Sequence, residues 1–129
     1  MRIEHVALQV PDPAAMADWY VTHLRCSVAR TGGEPALARF LLDAAGRSMI
    51  EIYRNPRVPV PDFRDVHPLL FHLAFLSDDL AADRDRLVAA GATIFEDVTT
   101  SAAGDELLML RDPWHIPLQL VRRAVPMLA

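Results

Sequence analysis

The sequence predicts an α+β protein in which two βαβββ modules form a cup-shaped mixed sheet, with the helices on the outer face. The prediction starts from a pattern that occurs twice: His, an aliphatic residue, Ala and a large apolar residue, beginning at His5 and at His72. Each copy is followed by aspartates, a helical segment and, much later, an apolar run centred on Glu51 or Gln119. A sheet with a helix on one side leaves its other side uncovered, so two such units placed edge to edge would form a cup.

The first module covers about residues 2–55 and begins with a strand of alternating character. From His5 onward, every second side chain points away from the face that a helix would cover. Asp12 and Pro13 then suit the N-cap and the first turn of a helix. Turns containing glycine separate the three strands that follow. We place the strands at 3–10, 26–30, 37–42 and 48–53, and the helix at 13–24.

A linker at residues 56–68 separates the modules, because the prolines from Asn55 to Pro68 are too many for a helix or a central strand. The second module, about residues 69–123, repeats the order of the first. Asp78 or Asp79 caps its helix, which stops at Gly91. We place its strands at 69–76, 93–98, 106–110 and 117–121, leave 124–129 as a tail, and expect one domain over 1–129.

Composition limits the possible functions. A chain of 129 residues with 52% hydrophobic and 23% charged residues is typical of a globular domain. The net charge of −4, with no run of basic residues, argues against nucleic acid and acidic membranes as partners. The single cysteine, Cys26, excludes an internal disulfide framework. With no signal-peptide core and no apolar stretch long enough for a bilayer, we expect a cytoplasmic protein.

Four side chains that can bind a metal fall at equivalent places in the two modules, and by alternation all four lie on the inner face. They are His5, Glu51, His72 and Gln119. Two imidazoles, a carboxylate and an amide suit a divalent metal ion of borderline hardness: Zn, Ni, Co, Mn or Fe. Such a metal would chelate two neighbouring substrate oxygens and acidify the adjacent C–H bond. Glu51 is the only acid of the set, so our hypothesis makes it both ligand and general base.

The paired modules resemble the vicinal oxygen chelate superfamily, which includes glyoxalase I, bleomycin-resistance proteins and extradiol dioxygenases. The stretch from Arg111 to Val121, Arg-Asp-Pro-Trp-His-Ile-Pro-Leu-Gln-Leu-Val, is similar to the superfamily's closing signature. The resemblance covers about residues 2–123. It implies the glyoxalase/bleomycin-resistance fold and a homodimer, with the cup formed within one chain or from the halves of two. It also implies metal ligands at His5, Glu51, His72 and Gln119.

Position 119 departs from the superfamily pattern. The usual residue there is Glu, which in glyoxalase I-like members is both ligand and general base, whereas Gln119 cannot take a proton. Epimerase-like members also carry two His, one Gln and one Glu, but with Gln in the first half. Extradiol dioxygenases and fosfomycin-resistance thiol transferases need the Glu of the last strand, so Gln119 counts against both. It could also be a pocket residue that does not bind the metal.

The resemblance implies a metal-dependent lyase, isomerase or epimerase that acts on a small α-hydroxycarbonyl, 2-oxo acid or thioester through proton abstraction and enediolate stabilisation. One alternative is a metal-free protein that sequesters a small compound, as bleomycin-resistance proteins do. Another is an Fe(II) dioxygenase with His5, His72 and Glu51 as its facial triad. A purely structural module would leave the four inward polar residues unexplained.

Other side chains have weaker signals. Tyr53 and Met49 share the face of Glu51 and are expected to line a pocket. Arg39 is a candidate contact for a substrate carboxylate, with a solvated arginine as the alternative. Cys26 is expected to be buried and unreactive. The loops that would select a substrate lie at 31–35, 55–68 and 99–105, and none carries a phosphate-binding glycine motif.

Overall fold

The computed structural model describes residues 1–128 and contains the order strand, helix, strand, strand, strand twice. One turn of 3-10 helix, Phe63–Asp65, lies in the predicted linker. The first module consists of β1 (Val6–Gln9), α1 (Pro13–Leu24), β2 (Ser27–Thr31), β3 (Arg39–Leu42) and β4 (Met49–Tyr53). The second consists of β5 (Leu73–Leu76), α2 (Leu80–Ala89), β6 (Thr93–Thr100), β7 (Glu106–Arg111) and β8 (Pro117–Arg122). The predicted pair of βαβββ modules is therefore confirmed.

The chain divides into two compact units, Met1–Pro61 and a unit that begins at Asp62. The boundary falls inside the proline-rich segment that the sequence predicts as a linker. No helix among the described residues is long and apolar enough to cross a membrane.

Each module forms its own four-stranded mixed sheet, with the order β1-β4-β3-β2 in the first and β5-β8-β7-β6 in the second. In each sheet the first strand pairs parallel with the last, and the other pairs are antiparallel. The second strand of each module also carries a register shift, between Val28 and Arg30 in β2 and between Ile94 and Glu96 in β6. The repeat thus includes one irregularity of each sheet, while β6 has a second register shift, between Glu96 and Thr99, that β2 lacks.

Several predicted strands are shorter in the structure. The strand predicted over 3–10 spans only Val6–Gln9, so His5 precedes β1 just as His72 precedes β5. The strand predicted from residue 37 begins at Arg39, because Leu37 has a φ of 53°, which is not a strand conformation. The strand predicted over 69–76 begins at Leu73, because the preceding residues turn and the N–H of Leu70 donates to the carbonyl of His67 at 2.8 Å. In the opposite direction, β6 continues two residues beyond its predicted end, to Thr100.

Aspartates begin both helices, as predicted. Oδ1 of Asp12 accepts a hydrogen bond from the N–H of Ala15 at 3.0 Å, and Oδ1 of Asp79 accepts one from Ala82 at 2.9 Å. A side-chain cap of this kind typically stabilises a helix by about 1 kcal/mol. After α2 the chain turns away at Gly91, whose φ of 103° would strain a residue with a Cβ.

Each helix covers one face of its own sheet. The core of the first module includes Met16, Tyr20, Leu41 and Ile52, and that of the second Leu87, Leu108, Leu110 and Leu118, all at most 1% exposed. Glu51 and Gln119 adjoin these core positions in sequence. Because side chains alternate along a strand, both lie on the face that the helix of their own module leaves uncovered.

Candidate metal centre

The parallel pair β1 and β4 brings His5 and Glu51 together. Ala7 pairs with Glu51 across the two strands, and His5 immediately precedes β1, which begins at Val6. Nε2 of His5 is 3.3 Å from Oε2 of Glu51. The two side chains are 32% and 21% exposed, so a small ligand can reach both.

The other ring nitrogen of His5 contacts the carboxylate of Glu4. This hydrogen bond raises the pKa of His5 above its ordinary value of 6.5; partial burial opposes the shift, and the charges of Glu4 and Glu51 add to it. Because a carboxylate only accepts hydrogen bonds, Nδ1 carries the hydrogen when the ring is neutral. In the protonated ring, Nε2–H points at the carboxylate of Glu51, and loss of that proton leaves a lone pair on Nε2 that could bind a metal.

His72, the equivalent histidine of the second module, is held in the same way. Its Nδ1 lies 2.8 Å from the carbonyl oxygen of Pro68. A carbonyl can only accept, so Nδ1 donates and the neutral ring presents the lone pair of Nε2. Metal-binding histidines are usually oriented by such a bond from their second nitrogen. In both histidines Nδ1 is engaged by a hydrogen-bond partner, which leaves Nε2 as the nitrogen that could bind a metal.

The strand pairings place Glu51 and Gln119 in equivalent rows of side chains. We call these the Glu51 row and the Gln119 row. The Glu51 row consists of Ala7, Glu51, Phe40 and Arg30 on successive strands. The Gln119 row consists of Ala74, Gln119, Met109 and Glu96. The predicted equivalence of positions 51 and 119 therefore holds at the level of strand register.

The donor set fits a divalent metal of borderline hardness. Imidazole nitrogen, carboxylate oxygen and amide oxygen together suit Zn, Ni, Co, Mn and Fe(II). Among residues 1–128, no three His, Cys, Asp or Glu side chains are close enough together to hold a metal ion. His5 and Glu51 are thus a two-residue pair, and a complete ligand set needs donors beyond them.

The pocket residues named from the sequence differ in their surroundings. Met49 and Tyr53 alternate with the core side of β4, so they share the face of Glu51, and both are partly exposed. Tyr53 pairs with Gln9 at the end of β1.

Arg39 pairs instead with Ile52, which faces α1. Its Nη1 donates to the carbonyls of Gly32, Leu37 and Ala38 at 3.3, 2.9 and 3.1 Å. Arg39 thus holds the loop before β3, and its predicted contact with a substrate stays a prediction.

A cavity of about 540 Å³ lies in the first module, beside the ends of β1 and β4. Two of the loops that the sequence predicts to select a substrate contribute to its lining, through Glu34, Pro35 and most of residues 55–60. Gln9 fixes one wall. Its Nε2 donates to the carbonyls of Asn55 and Val58, both at 2.7 Å, and its Oε1 accepts from the N–H of Asn55 at 2.9 Å.

Cys26 is only 6% exposed, and burial, aided by the negative charge of Asp43, raises the pKa of its thiol to about 11. A thiol with such a pKa is protonated at neutral pH and is a poor nucleophile. The prediction that Cys26 is buried is confirmed, and its lack of reactivity stays a prediction that the raised pKa supports.

Comparison with known proteins assigns this chain to a family. Residues 5–121 match the family model described as the glyoxalase-like domain. No curated protein matches the chain significantly. Among solved structures, the protein SMU.1112c is 28% identical, with a TM-score of 0.74 over 95% of this chain and 98% of that one.

Two further solved structures share the fold. A glyoxalase I mutant from Zea mays is 20% identical, with a TM-score of 0.76 over 96% of this chain and 46% of that one. The fosfomycin resistance protein FosX from Listeria monocytogenes, complexed with Mn(II) and sulfate, is 16% identical, with a TM-score of 0.70 over 96% and 93% of the two chains. With a family match over nearly its whole length, this chain belongs to the glyoxalase-like domain family of the vicinal oxygen chelate superfamily.

Proposed function

We propose that this protein is a metal-dependent enzyme of the lyase or isomerase type that acts on a small substrate with two neighbouring oxygens. The observation that carries the proposal is the pair formed by Nε2 of His5, just before β1, and the carboxylate of Glu51 on β4, 3.3 Å apart. The hydrogen bonds at Nδ1 of His5 and His72 support it, because metal-binding histidines are usually oriented by a bond from the nitrogen that does not bind the metal.

The proposed ligands of the metal are His5, Glu51, His72 and Gln119, with Zn, Ni, Co, Mn or Fe as the ion. The second pair of ligands would come from the same chain or from a second copy in a homodimer. Mn(II) in FosX supports a metal of this class. When bound, the metal would polarise the substrate carbonyl and so acidify the C–H bond beside it.

Glu51 is the proposed general base. Its carboxylate would take the proton from the carbon beside the substrate carbonyl and return it to a neighbouring atom. The rest of the Glu51 row, Ala7, Phe40 and Arg30, offers no other proton acceptor. Gln119, at the equivalent position of the second module, has an amide that cannot take this role.

A second candidate function is metal-free binding of a small compound, as in bleomycin-resistance proteins. The cavity of about 540 Å³ favours it, because prolines and valines of the 55–60 segment form much of its lining. A cavity of this size is typical of small-molecule sites.

The single cysteine is the observation on which we expect the protein to be located in the cytoplasm.

The test is proton exchange in D₂O, followed by NMR, with dihydroxyacetone and pyruvate as probes. Protein loaded with each candidate metal should exchange the proton beside the carbonyl faster than free metal does, and a chelator should stop the exchange. Glu51→Gln should lose the exchange. If Glu51→Gln binds metal normally and keeps full activity, Glu51 is not the base. A wild-type protein that takes up no metal but binds small aromatic compounds would favour the second candidate.

A further inference from the structure

Arg30 lies at the far end of the Glu51 row. A bulge in β2 places its side chain on that face of the sheet. Val28 pairs with Leu41 and Arg30 pairs with Phe40, so Ala29 has no partner on β3. Such a bulge shifts the alternation of a strand by one residue. As a result, the side chain of Arg30 shares the face of Glu51 instead of pointing to the opposite side.

Phe40 connects Arg30 to the proposed metal ligands. The guanidinium carbon of Arg30 lies 5.9 Å from the centroid of the Phe40 ring, and the His5 ring meets the same phenyl edge-on at 5.5 Å. Phe40 also pairs with Glu51 across β3 and β4. One aromatic ring therefore separates a cation from the imidazole–carboxylate pair.

The hydrogen-bond donors of Arg30 are unused. Among residues 1–128, no hydrogen bond or ion pair to Arg30 is found, and its side chain is exposed. Arg111 provides a comparison, since its guanidinium also lies over a phenyl ring, that of Phe95, at 5.5 Å. Arg111, however, donates to the carbonyls of Phe63 and Val66 at 2.8 and 3.0 Å and so holds a loop. Arg30 stacks on a phenyl ring in the same way, but no hydrogen bond within residues 1–128 ties its guanidinium to a loop.

An arginine held on an aromatic face with a free donor edge is suited to bind a carboxylate with two parallel hydrogen bonds. Neighbouring strands lie about 4.8 Å apart, so the backbones of Arg30 and Glu51 are separated by about 10 Å across β3. Both side chains extend from the same face. A ligand with a short carbon chain can therefore reach the His5–Glu51 pair with one end and Arg30 with the other.

We infer that Arg30 binds an anionic end of the substrate, and that the substrate is a small 2-oxo acid with a second carboxylate three or four carbons away. The inference rests on the proposed function, because it names the substrate class of the same site. The two oxygens of the 2-oxo acid would face His5 and Glu51, the carbon chain would cross Phe40, and the second carboxylate would meet Arg30.

The test compares dicarboxylates with monocarboxylates of equal chain length by calorimetry on Mn(II)-loaded protein. The pairs are 2-oxoglutarate with 2-oxopentanoate, and 2-oxoadipate with 2-oxohexanoate. Variant Arg30→Gln removes the charge, and Arg25→Gln removes another exposed charge at the end of α1, which packs against the other face of the sheet. Thermal unfolding of each variant checks that it is folded.

At least one dicarboxylate should bind wild-type protein about tenfold or more tightly than its partner, as expected for a charge-assisted pair. The preference should vanish in Arg30→Gln and persist in Arg25→Gln. Equal binding within both pairs, no binding of any probe, or a preference that survives in Arg30→Gln would overturn the inference. Repeating the titrations after chelation separates the two proposals. A preference that persists in protein unable to take up metal keeps the role of Arg30 and rejects the metal-dependent function.

Discussion

Nε2 of His5 lies 3.3 Å from Oε2 of Glu51, although the two residues belong to opposite ends of the first module in sequence. The parallel pairing of β1 with β4 creates this proximity, and the contact between Nδ1 and Glu4 orients the ring. The second module repeats the pairing between β5 and β8 and orients His72 through a backbone carbonyl. A metal centre in this protein would depend on these two oriented histidines.

Gln119 is the residue whose replacement should strengthen metal binding. Gln119→Glu exchanges a neutral amide oxygen for an anionic one, which divalent metals prefer, so we expect affinity to rise about tenfold or more. Gln119→Ala should weaken binding, because it removes a donor. Competition with a chromogenic chelator measures both changes. Metal affinities equal to that of the wild type in both variants would show that Gln119 does not bind the metal.

Gln9 should stabilise the first module, because its side chain hydrogen-bonds to Asn55 and Val58, which form one wall of the cavity. Gln9→Met keeps the volume of the side chain but leaves the N–H of Asn55 and the carbonyls of Asn55 and Val58 without their partner. Because these hydrogen bonds are only partly buried and a typical net hydrogen bond contributes about 0.5–1.5 kcal/mol, we expect the free energy of unfolding to fall by about 1 kcal/mol. Urea denaturation measures the loss. Gln9→Glu, which lacks the two N–H donors, should also destabilise, and wild-type stability in both variants would contradict the assignment.

The two faces of the second sheet can be told apart with two leucines. Leu118 is fully buried beneath α2, whereas Leu76 is 70% exposed. Leu118→Ala should therefore lower the free energy of unfolding by about 2–5 kcal/mol, and Leu76→Ala by less than about 0.5 kcal/mol. Denaturation of both variants at the same protein concentration gives the comparison. Losses of equal size would contradict the assignment of the faces.

Asp105 should make stability depend on pH in the acid range. The N–H of Ala124 and the guanidinium of Arg123 hydrogen-bond its carboxylate at 2.9 and 2.7 Å, and in that order they lower its pKa below the ordinary value of 3.8. A carboxyl with a lower pKa in the folded state stabilises the fold above its unfolded pKa, and this contribution is lost as the pH falls through the folded pKa.

The test for Asp105 is the variant Asp105→Asn. The difference in free energy of unfolding between wild type and variant should be complete near pH 6 and should shrink below about pH 4. Urea denaturation at several pH values follows it. A difference that stays constant down to about pH 2 would show that the ionised carboxylate is not what stabilises this turn.

The fold and the first half of the site could be predicted because they rest on repeats and alternation. The matched pattern at His5 and His72 predicted two modules, and alternation alone put Glu51 on the face of His5. The start of β5 was predicted too early because Leu69 and Leu70 are apolar, yet they lie in a turn and are 84% and 80% exposed. Hydrophobicity alone does not distinguish an exposed apolar turn from a strand.

Arg30 and Gln9 were missed for different reasons. Regular alternation would put Ala29 opposite Phe40 and send Arg30 to the other face, and only the bulge in β2 reverses this. The position of Gln9 on the inner face was predicted, but the hydrogen bonds to a loop far away in sequence depend on tertiary structure. The sequence drew attention to Arg39 because it adjoins Phe40, without showing that backbone carbonyls engage its guanidinium.

The most direct test of the central claim is elemental analysis of the untagged protein, purified without chelator, beside the double variant His5→Ala, His72→Ala. We predict about one transition metal ion for each complete set of four ligands in the native protein and none in the double variant. The absence of metal from both proteins, even after reconstitution with Zn, Ni, Co, Mn and Fe(II), would contradict the account and leave a metal-free binding protein.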